Sequence, residues 1–324
     1  MKSAIIGLGV IAEVHIEVLK NIGAEIICVC DIDREKAESF VSAHGVECNI
    51  YTDYKKMLEN EKIDIVHICT PHYLHAEMCI FALDRNINVL CEKPLCIKKE
   101  EITKICDAVK RSNAQLGVCL QNRYNDINLY VKNLLRNKRI TGGFGTVLWN
   151  RDRSYYESAP WRGKMATEGG GAVINQALHT LDLLQWFCGM PTKVNGSIYN
   201  IEHDYTEVED TARARFVYDD GAFEFYTSIS QNADFAVQIL LSTENNTIII
   251  SDKNLIINGS AIAFDSIKTQ NVKECYGNGH MSLITDFYNC VKDNRHFEID
   301  EIEGSKVIKL TLAIYESNGK TIEI

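Results

Sequence analysis

The sequence predicts an α/β chain in two parts: a parallel sheet wrapped by helices over residues 1–121, then a large, mostly antiparallel open sheet over residues 122–324. Three observations predict it. Apolar runs alternate with helical patterns as far as Gln121, the signature of βαβ units with right-handed crossovers. Past that point the alternation gives way to short strands and hairpin turns. A glycine turn, Gly7-Leu8-Gly9-Val10-Ile11-Ala12, joins the first strand to the first helix. The length of 324 residues fits about two domains.

Residues 3–6 read as the first strand. In the turn that follows, Gly7 permits the tight bend, Gly9 lets the backbone approach a pyrophosphate, and Ala12 keeps the helix close to the sheet. Ile11, Val14, Val18 and Ile22 then recur at helical spacing. The free N–H groups and dipole of that helix start would hold phosphates, with Val10 and Ile11 in its first turn. Residues 25–30 form the next strand and end in Asp31, where a carboxylate accepts bonds from ribose hydroxyls; Ile32 follows it. Asp31 repels a 2′-phosphate and so favours NAD over NADP, while Arg34 nearby keeps NADP open.

Residues 63–69 are a strand. Thr70-Pro71-His72-Tyr73-Leu74-His75 breaks it and leads into a helix through about residue 85. Residues 87–91 form another buried strand, followed by Glu92-Lys93-Pro94. A lysine at the carboxyl end of such a strand points into the crevice where open α/β sheets bind ligands. The Lys-Pro bond is one where cis is cheap. A helix over 98–111 and a strand over 115–120 complete the pattern, so the loops at Gly7, Asp31, Thr70, Lys93 and Gln121 line one sheet edge. His72 and His75 have no carboxylate cluster beside them, and no metal is expected.

In the second part, residues 125–139 suggest a helix and 145–149 a strand. Residues 210–218 and 222–230 form a hairpin around Asp219-Asp220-Gly221, and 235–243, 246–251 and 255–257 add strands. A helix begins within residues 168–184, after Gly169-Gly170-Gly171. Asn175 and His179, four apart, would share one face, and Asp182 lies three beyond His179.

The net charge of -10 argues against nonspecific binding to nucleic acid or anionic membrane. The 12 cysteines form no Cys-x-x-Cys pair and fit a reducing cytoplasm. Glu13 and His15 interrupt the N-terminal apolar run, which argues against a signal peptide. No stretch of about eighteen apolar residues is present, so no membrane span is expected.

The ordered set Gly7-x-Gly9-x-x-Ala12, Thr70-Pro71-x-x-x-His75, Glu92-Lys93-Pro94, Trp161-Arg162-Gly163, Gly169-Gly170-Gly171, Asn175-x-x-x-His179-x-x-Asp182 and the ending Tyr315 to Lys320 resembles the glucose–fructose oxidoreductase/inositol dehydrogenase (Gfo/Idh/MocA) family. The resemblance covers essentially the whole chain. It implies an N-terminal Rossmann domain, a C-terminal α/β domain on an open sheet, and homodimers or homotetramers joined through that sheet. It also implies hydride transfer between a nicotinamide cofactor and a secondary alcohol of a sugar, cyclitol or sugar nucleotide. Lys93 matches the family lysine and His179 its helix histidine. Asn175 stands where aspartate is common, as in some branches. On this basis His179 is expected as general base, Lys93 as the cation that steadies the alkoxide, and Asn175 as a substrate-orienting group; the roles of Lys93 and His179 could be exchanged. Gly7, Gly9, Val10, Ile11, Asp31, Ile32, Thr70, Pro71, His75, Glu92, Lys93, Gln121, Trp161 and Arg162 are the expected cofactor residues. Arg123, Tyr124, Tyr155, Tyr156 and His280 are expected to line the substrate pocket, where aromatic faces suit sugar C–H surfaces and arginines suit hydroxyls or anions. Glycoside cleavage by transient oxidation and a non-catalytic nucleotide-binding regulator are the competing readings.

Overall fold

The computed structural model describes residues 1–252, 254–264 and 279–324. The chain divides into two compact units, residues 1–121 with 271–305, and residues 122–270 with 306–324. The sequence reading places one boundary at residue 121. It misses the return of the chain to the first unit, because a helix that closes an earlier sheet looks locally like any other amphipathic helix.

The first unit holds a six-stranded, all-parallel sheet in the order β3-β2-β1-β4-β5-β6. Its strands are β1 (Lys2–Ile6), β2 (Glu25–Cys30), β3 (Asn49–Tyr51), β4 (Ile65–Ile68), β5 (Asn88–Cys91) and β6 (Leu116–Val118). The helices are α1 (Val10–Asn21), α2 (Arg34–His44), α3 (Tyr54–Asn60), α4 (His75–Leu83) and α5 (Lys99–Arg111). This is the doubly wound order, in which the chain reverses direction between β1 and β4 and ligands bind past the strand ends there. The capping chemistry is local: Asp33 accepts the N–H of Lys36, Asp53 those of Lys55 and Lys56, and Glu101 those of Ile97 and Lys98. α2, β3 and α3 are absent from the sequence reading; β3 has three residues and no buried position, which gives no period to detect.

The second unit is built on a nine-stranded sheet in the order β14-β13-β12-β11-β7-β10-β9-β8-β15. Its helix α6 (Asp126–Leu134) precedes β7 (Ile140–Leu148), and α7 (Arg153–Glu157) and α8 (Leu178–Cys188) follow. The remaining strands are β8 (Lys193–Tyr199), β9 (Thr211–Tyr218), β10 (Gly221–Ser228), β11 (Gln238–Thr243), β12 (Thr247–Ser251), β13 (Asn254–Ile257), β14 (Ser260–Ile262) and β15 (Thr321–Glu323). Pairing is antiparallel except between β7 and β10. Inward positions alternate along β9 and β10, and Phe216, Phe223 and Phe225 are fully buried there. The hairpin at Asp219-Asp220 forms as the sequence predicts.

Two further helices close the chain: α9 (Gly279–Lys292) and α10 (Glu301–Ser317). α9 lies in the first unit, packed on α1 and β5 with Leu283, Ile284, Phe287 and Tyr288 buried. The Phe287 ring stands edge-on to Phe297 at 5.1 Å and fills the space that Gly117 of β6 leaves open. Phe287→Ala should therefore destabilise the protein by about 3–5 kcal/mol in urea denaturation. A loss below about 1 kcal/mol would contradict this packing.

Candidate active site

The first unit assembles a cradle at the carboxyl edge of its sheet. Gly7 ends β1 at φ +83, and a Cβ there would lie 2.7 Å from the Cys69 carbonyl oxygen, so glycine is required twice over. Gly9 is different: a Cβ built on it meets nothing within 4 Å. That open space lies directly before α1, whose start carries no side-chain cap. Its N–H groups are thus available to an anion, as a pyrophosphate-binding turn requires. Val10 is 69% exposed and Ile32 92% exposed, apolar surface on the same turn and just past Asp31. Ile11 is half-buried beside Val10.

Asp31 is held in place from three sides. Its Oδ2 accepts the Leu8 N–H at 2.9 Å and the Lys36 ammonium at 2.8 Å, and Oδ1 accepts the Asp33 N–H. Burial alone would raise this carboxyl, but the bonds from Lys36, Leu8 and Asp33 outweigh it and hold the pKa below the ordinary value. Arg34, the cation the sequence puts forward here, is bonded instead to Glu38. Lys36, in the first turn of α2, is the cation that reaches the acid.

His75 joins two loops of this edge. Its Nδ1 lies 2.7 Å from the Pro94 carbonyl and its Nε2 2.8 Å from that of Thr70. Burial pulls its pKa down, against the two carbonyl contacts, which favour a protonated ring. Pro71 opens a short 3-10 turn between Thr70 and α4. The Lys93–Pro94 bond is cis. Lys93 is half-buried, and Gln121 is buried at the start of another 3-10 turn.

Glu92 is buried beneath this edge, with a cluster around it that the sequence reading leaves out. Its Oε1 lies 3.0 Å from His15 Nε2 and 3.6 Å from His280 Nε2, and its Oε2 accepts the Lys93 backbone N–H. Burial would raise the carboxyl; the hydrogen bond from His15 and the nearby His280 ring hold it well below its usual range. His280, expected to line a substrate pocket, is only 3% exposed and faces Glu92. His15, Glu92 and Cys119 bring one donor atom each within 4.8 Å of one another, and hydrogen bonding holds that cluster together.

In the second unit the helix expected through residues 168–184 is interrupted. Residues Ala172–Gln176 form a π-helical turn, Ala177 donates to the Ala172 carbonyl five residues back, and α8 begins only at Leu178. Asn175 therefore stands on the π-helical turn and His179 on the first turn of α8. The cause is a buried carboxylate. Glu209 accepts the N–H groups of Gly171 and Val173 at 2.9 Å each and the Tyr315 hydroxyl at 3.0 Å, pulling the helix start into a non-α path. Burial raises the Glu209 pKa despite these bonds.

A second carboxylate, Glu168, ties that turn to the segment before it. It accepts the Gly163 N–H and the Asn175 Nδ2. Burial is the main influence on it and raises its pKa. The Tyr155 hydroxyl then gathers Asn175 Nδ2 at 3.1 Å, Gln176 Nε2 at 2.8 Å and the Arg162 guanidinium. Arg151 donates to Gln176 Oε1, which fixes the Gln176 amide orientation. Arg162 also stacks over Trp161 and Tyr155, at 4.7 and 4.2 Å. His179 is half-buried on α8. Asp182, which the spacing offered to His179, is instead in a bidentate pair with Arg123 at 2.8 and 2.5 Å and accepts Gln185. That pair is buried, so Arg123 braces α8 rather than presenting a free cation. Tyr124 closes the same 3-10 turn as Arg123. Tyr156 belongs to the core with Ala172, Val208 and Ile229, yet its edge reaches a cavity of about 400 Å³ lined also by Arg153, Arg162, Lys164, Tyr205 and Glu207.

Comparison with known proteins follows from this geometry. Residues 1–120 match the model of an oxidoreductase family with an NAD-binding Rossmann fold, and residues 130–250 match the GFO/IDH/MocA C-terminal domain. The chain is similar to the D-glucoside 3-dehydrogenase of Escherichia coli K12, 24% identical over 352 residues that take in 100% of this chain and 97% of the relative. It is 25% identical over 189 residues to the inositol 2-dehydrogenase of Salmonella paratyphi B; the match takes in 57% of this chain and spans 54% of that relative's length. Among solved structures, the WlbA dehydrogenase of Chromobacterium violaceum, in complex with NADH and UDP-GlcNAcA, matches with a TM-score of 0.90 at 25% identity, covering 100% of this chain and 96% of the other.

The Glu92 geometry has a pH consequence. A carboxyl whose folded-state pKa lies below its unfolded value of 4.5 stabilises the fold fully above that pH and loses the contribution as pH falls through the folded value. Glu92→Gln should therefore melt well below the wild type at about pH 7, with the gap narrowing below about pH 4.5. A gap independent of pH in thermal melts would contradict the charged state assigned to Glu92.

Proposed function

The chain belongs to the Gfo/Idh/MocA family of oxidoreductases, and from that premise we propose that it is an NAD-dependent dehydrogenase acting on a secondary alcohol of a sugar, cyclitol or sugar nucleotide. One observation carries the cofactor half: the open space over Gly9, the uncapped start of α1 and the braced Asp31 carboxylate form a dinucleotide cradle in one unit. The substrate class rests on the relatives, which are named as glucoside and inositol dehydrogenases.

NAD, when bound, supplies the hydride acceptor. The α1 start would hold the pyrophosphate, and Asp31, bonded to Lys36, would accept from the ribose hydroxyls. Leaving of the hydride requires the hydroxyl to lose its proton, so the chain must take that proton and steady negative charge on oxygen. Lys93 donates to that oxygen as a cation. His179 takes the proton on a ring nitrogen. Asn175, held by Glu168 and Tyr155, presents its amide to the substrate in one orientation.

Phe144 and Tyr226, both partly exposed on the sheet of the second unit, supply apolar surface for pairing with a second copy. The described cysteines are all free thiols, which supports a reducing cytoplasm. No helix among the described residues is long and apolar enough to cross a membrane.

A panel of sugars, inositols and UDP-sugars, scanned with NAD and NADP, tests the proposal by NADH absorbance. Turnover of at least one polyol with NAD is expected, and His179→Ala should lower single-turnover hydride transfer by about 10²–10⁴-fold. Full transfer in His179→Ala would remove its role as base. Product release without NADH accumulation would replace the dehydrogenase by a redox-neutral glycoside cleavage, and NAD binding without any turnover would point to a regulator.

A further inference from the structure

The cluster around Glu92 contains a donor set that the mechanism above does not use. His15, Glu92 and Cys119 each bring one ligand atom to within 4.8 Å of the others. His280 Nε2 stands 3.6 Å from the Glu92 Oε1 that His15 Nε2 meets at 3.0 Å. All four residues are buried, His15 and Cys119 completely. They come from four places in the first unit: α1, the residue after β5, the residue after β6 and the start of α9. Their convergence on one point is a product of the fold, since no local spacing in the chain would bring them together.

Two imidazoles, a thiol and a carboxylate are the donor types that zinc takes in four-coordinate sites. The usual zinc–ligand lengths put neighbouring donors of a tetrahedral site about 3.3–3.6 Å apart. The separations of 3.0 Å and 3.6 Å around Glu92 Oε1 bracket that spacing. Charge agrees with distance. An ionised Glu92 and a Cys119 thiolate carry two negative charges between them, and neutral imidazoles carry none, so Zn²⁺ would leave the buried site neutral. The groups behind the donors also fit. A metal-bound histidine keeps its proton on the other ring nitrogen and gives it to an acceptor. His15 Nδ1 lies 2.7 Å from His67 Nδ1, and His67 Nε2 lies 2.9 Å from the Tyr288 hydroxyl. Burial keeps His67 neutral, so it can accept on one nitrogen and donate from the other.

We propose that His15, Glu92, Cys119 and His280 form a structural zinc site. With neutral imidazoles, binding exchanges one Zn²⁺ for the Cys119 thiol proton, which leaves to solvent. The His15 proton sits on Nε2 against Glu92 when no metal is bound, because an ionised carboxylate only accepts. With zinc on Nε2 it sits on Nδ1 and is donated to His67. The ion ties α1 and α9 to the loop that carries Lys93, whose backbone N–H is already held by Glu92 Oε2. α9 brings its donor from the far end of the chain and packs on α1 and β5, so the site closes as that helix docks and the metal enters during folding. The proposal is independent of the dehydrogenase reading, since four protein donors leave no open position for a substrate.

The test refolds the full chain from denaturant, with zinc chloride or with a chelator, and counts retained metal by atomic emission after gel filtration. About one zinc per chain is expected, with a higher melting temperature than the chelated protein. Cobalt in place of zinc should give a thiolate-to-metal charge-transfer band that Cys119→Ser removes and Cys48→Ser, at a half-buried thiol of the same unit, retains. NMR of isotope-labelled histidine nitrogens should find His15 Nε2 protonated in the chelated protein and unprotonated in the zinc form. Cys119→Ser and His280→Ala should each weaken zinc binding by more than the roughly 10–100-fold that loss of an outer hydrogen-bond partner costs. The wild type decides the matter even where a variant does not fold. A refolded wild type that retains no zinc, a cobalt form without the thiolate band, or bound zinc that leaves His15 Nε2 protonated overturns the site. Zinc retained equally by Cys119→Ser overturns it as well.

Discussion

The buried charge of Glu92 is the constraint on which the first unit depends. Taking a carboxylate out of water costs on the order of several kcal/mol unless other groups replace the lost hydration. Here His15, His280 and the Lys93 N–H replace it. These partners come from α1, from α9 and from the loop that carries Lys93. One ionic centre thus ties the helix whose start would hold phosphate to the lysine that would meet the reacting oxygen. It also explains why the chain returns to this unit after residue 270: without α9, Glu92 would lose His280 and the face of the sheet would lose Phe287 and Tyr288.

The second unit uses the same device. Glu209 spends its acceptors on the backbone N–H groups of Gly171 and Val173 and so dictates the π-helical turn. Glu168 orients Asn175, and Asn175 helps to crowd donors around the Tyr155 oxygen. Burial lifts the pKa of both carboxyls, and the hydrogen bonds each accepts oppose that rise. An asparagine at 175 therefore does not leave its surroundings without a carboxyl group, since Glu168 contacts it.

Legibility followed range. The glycine turn and the alternation of strands and helices that builds the parallel sheet were readable because each rests on a local pattern of apolar period and turn residue. The hairpin of β9 and β10 was readable for the same reason. β8 was not, because Lys193, Asn195 and Gly196 dilute its alternation. The partners that decide charge and geometry were hidden because they act at long range. His15 meets Glu92 across 77 positions and Arg123 meets Asp182 across 59. The broken helix at 172–176 was unreadable because its cause, Glu209, lies more than thirty positions away. His15 and Glu168 were each in view in the sequence, but nothing in their neighbours distinguishes a buried partner from a surface residue.

The most direct test of the central claim is calorimetric titration of the protein with NAD and NADP, set beside Gly9→Val. The account predicts that NAD binds the wild type more tightly than NADP does, because Asp31 faces the ribose, and that Gly9→Val abolishes binding by filling the open space before α1. Equal binding in Gly9→Val, or no binding of either nucleotide to the wild type, would contradict it.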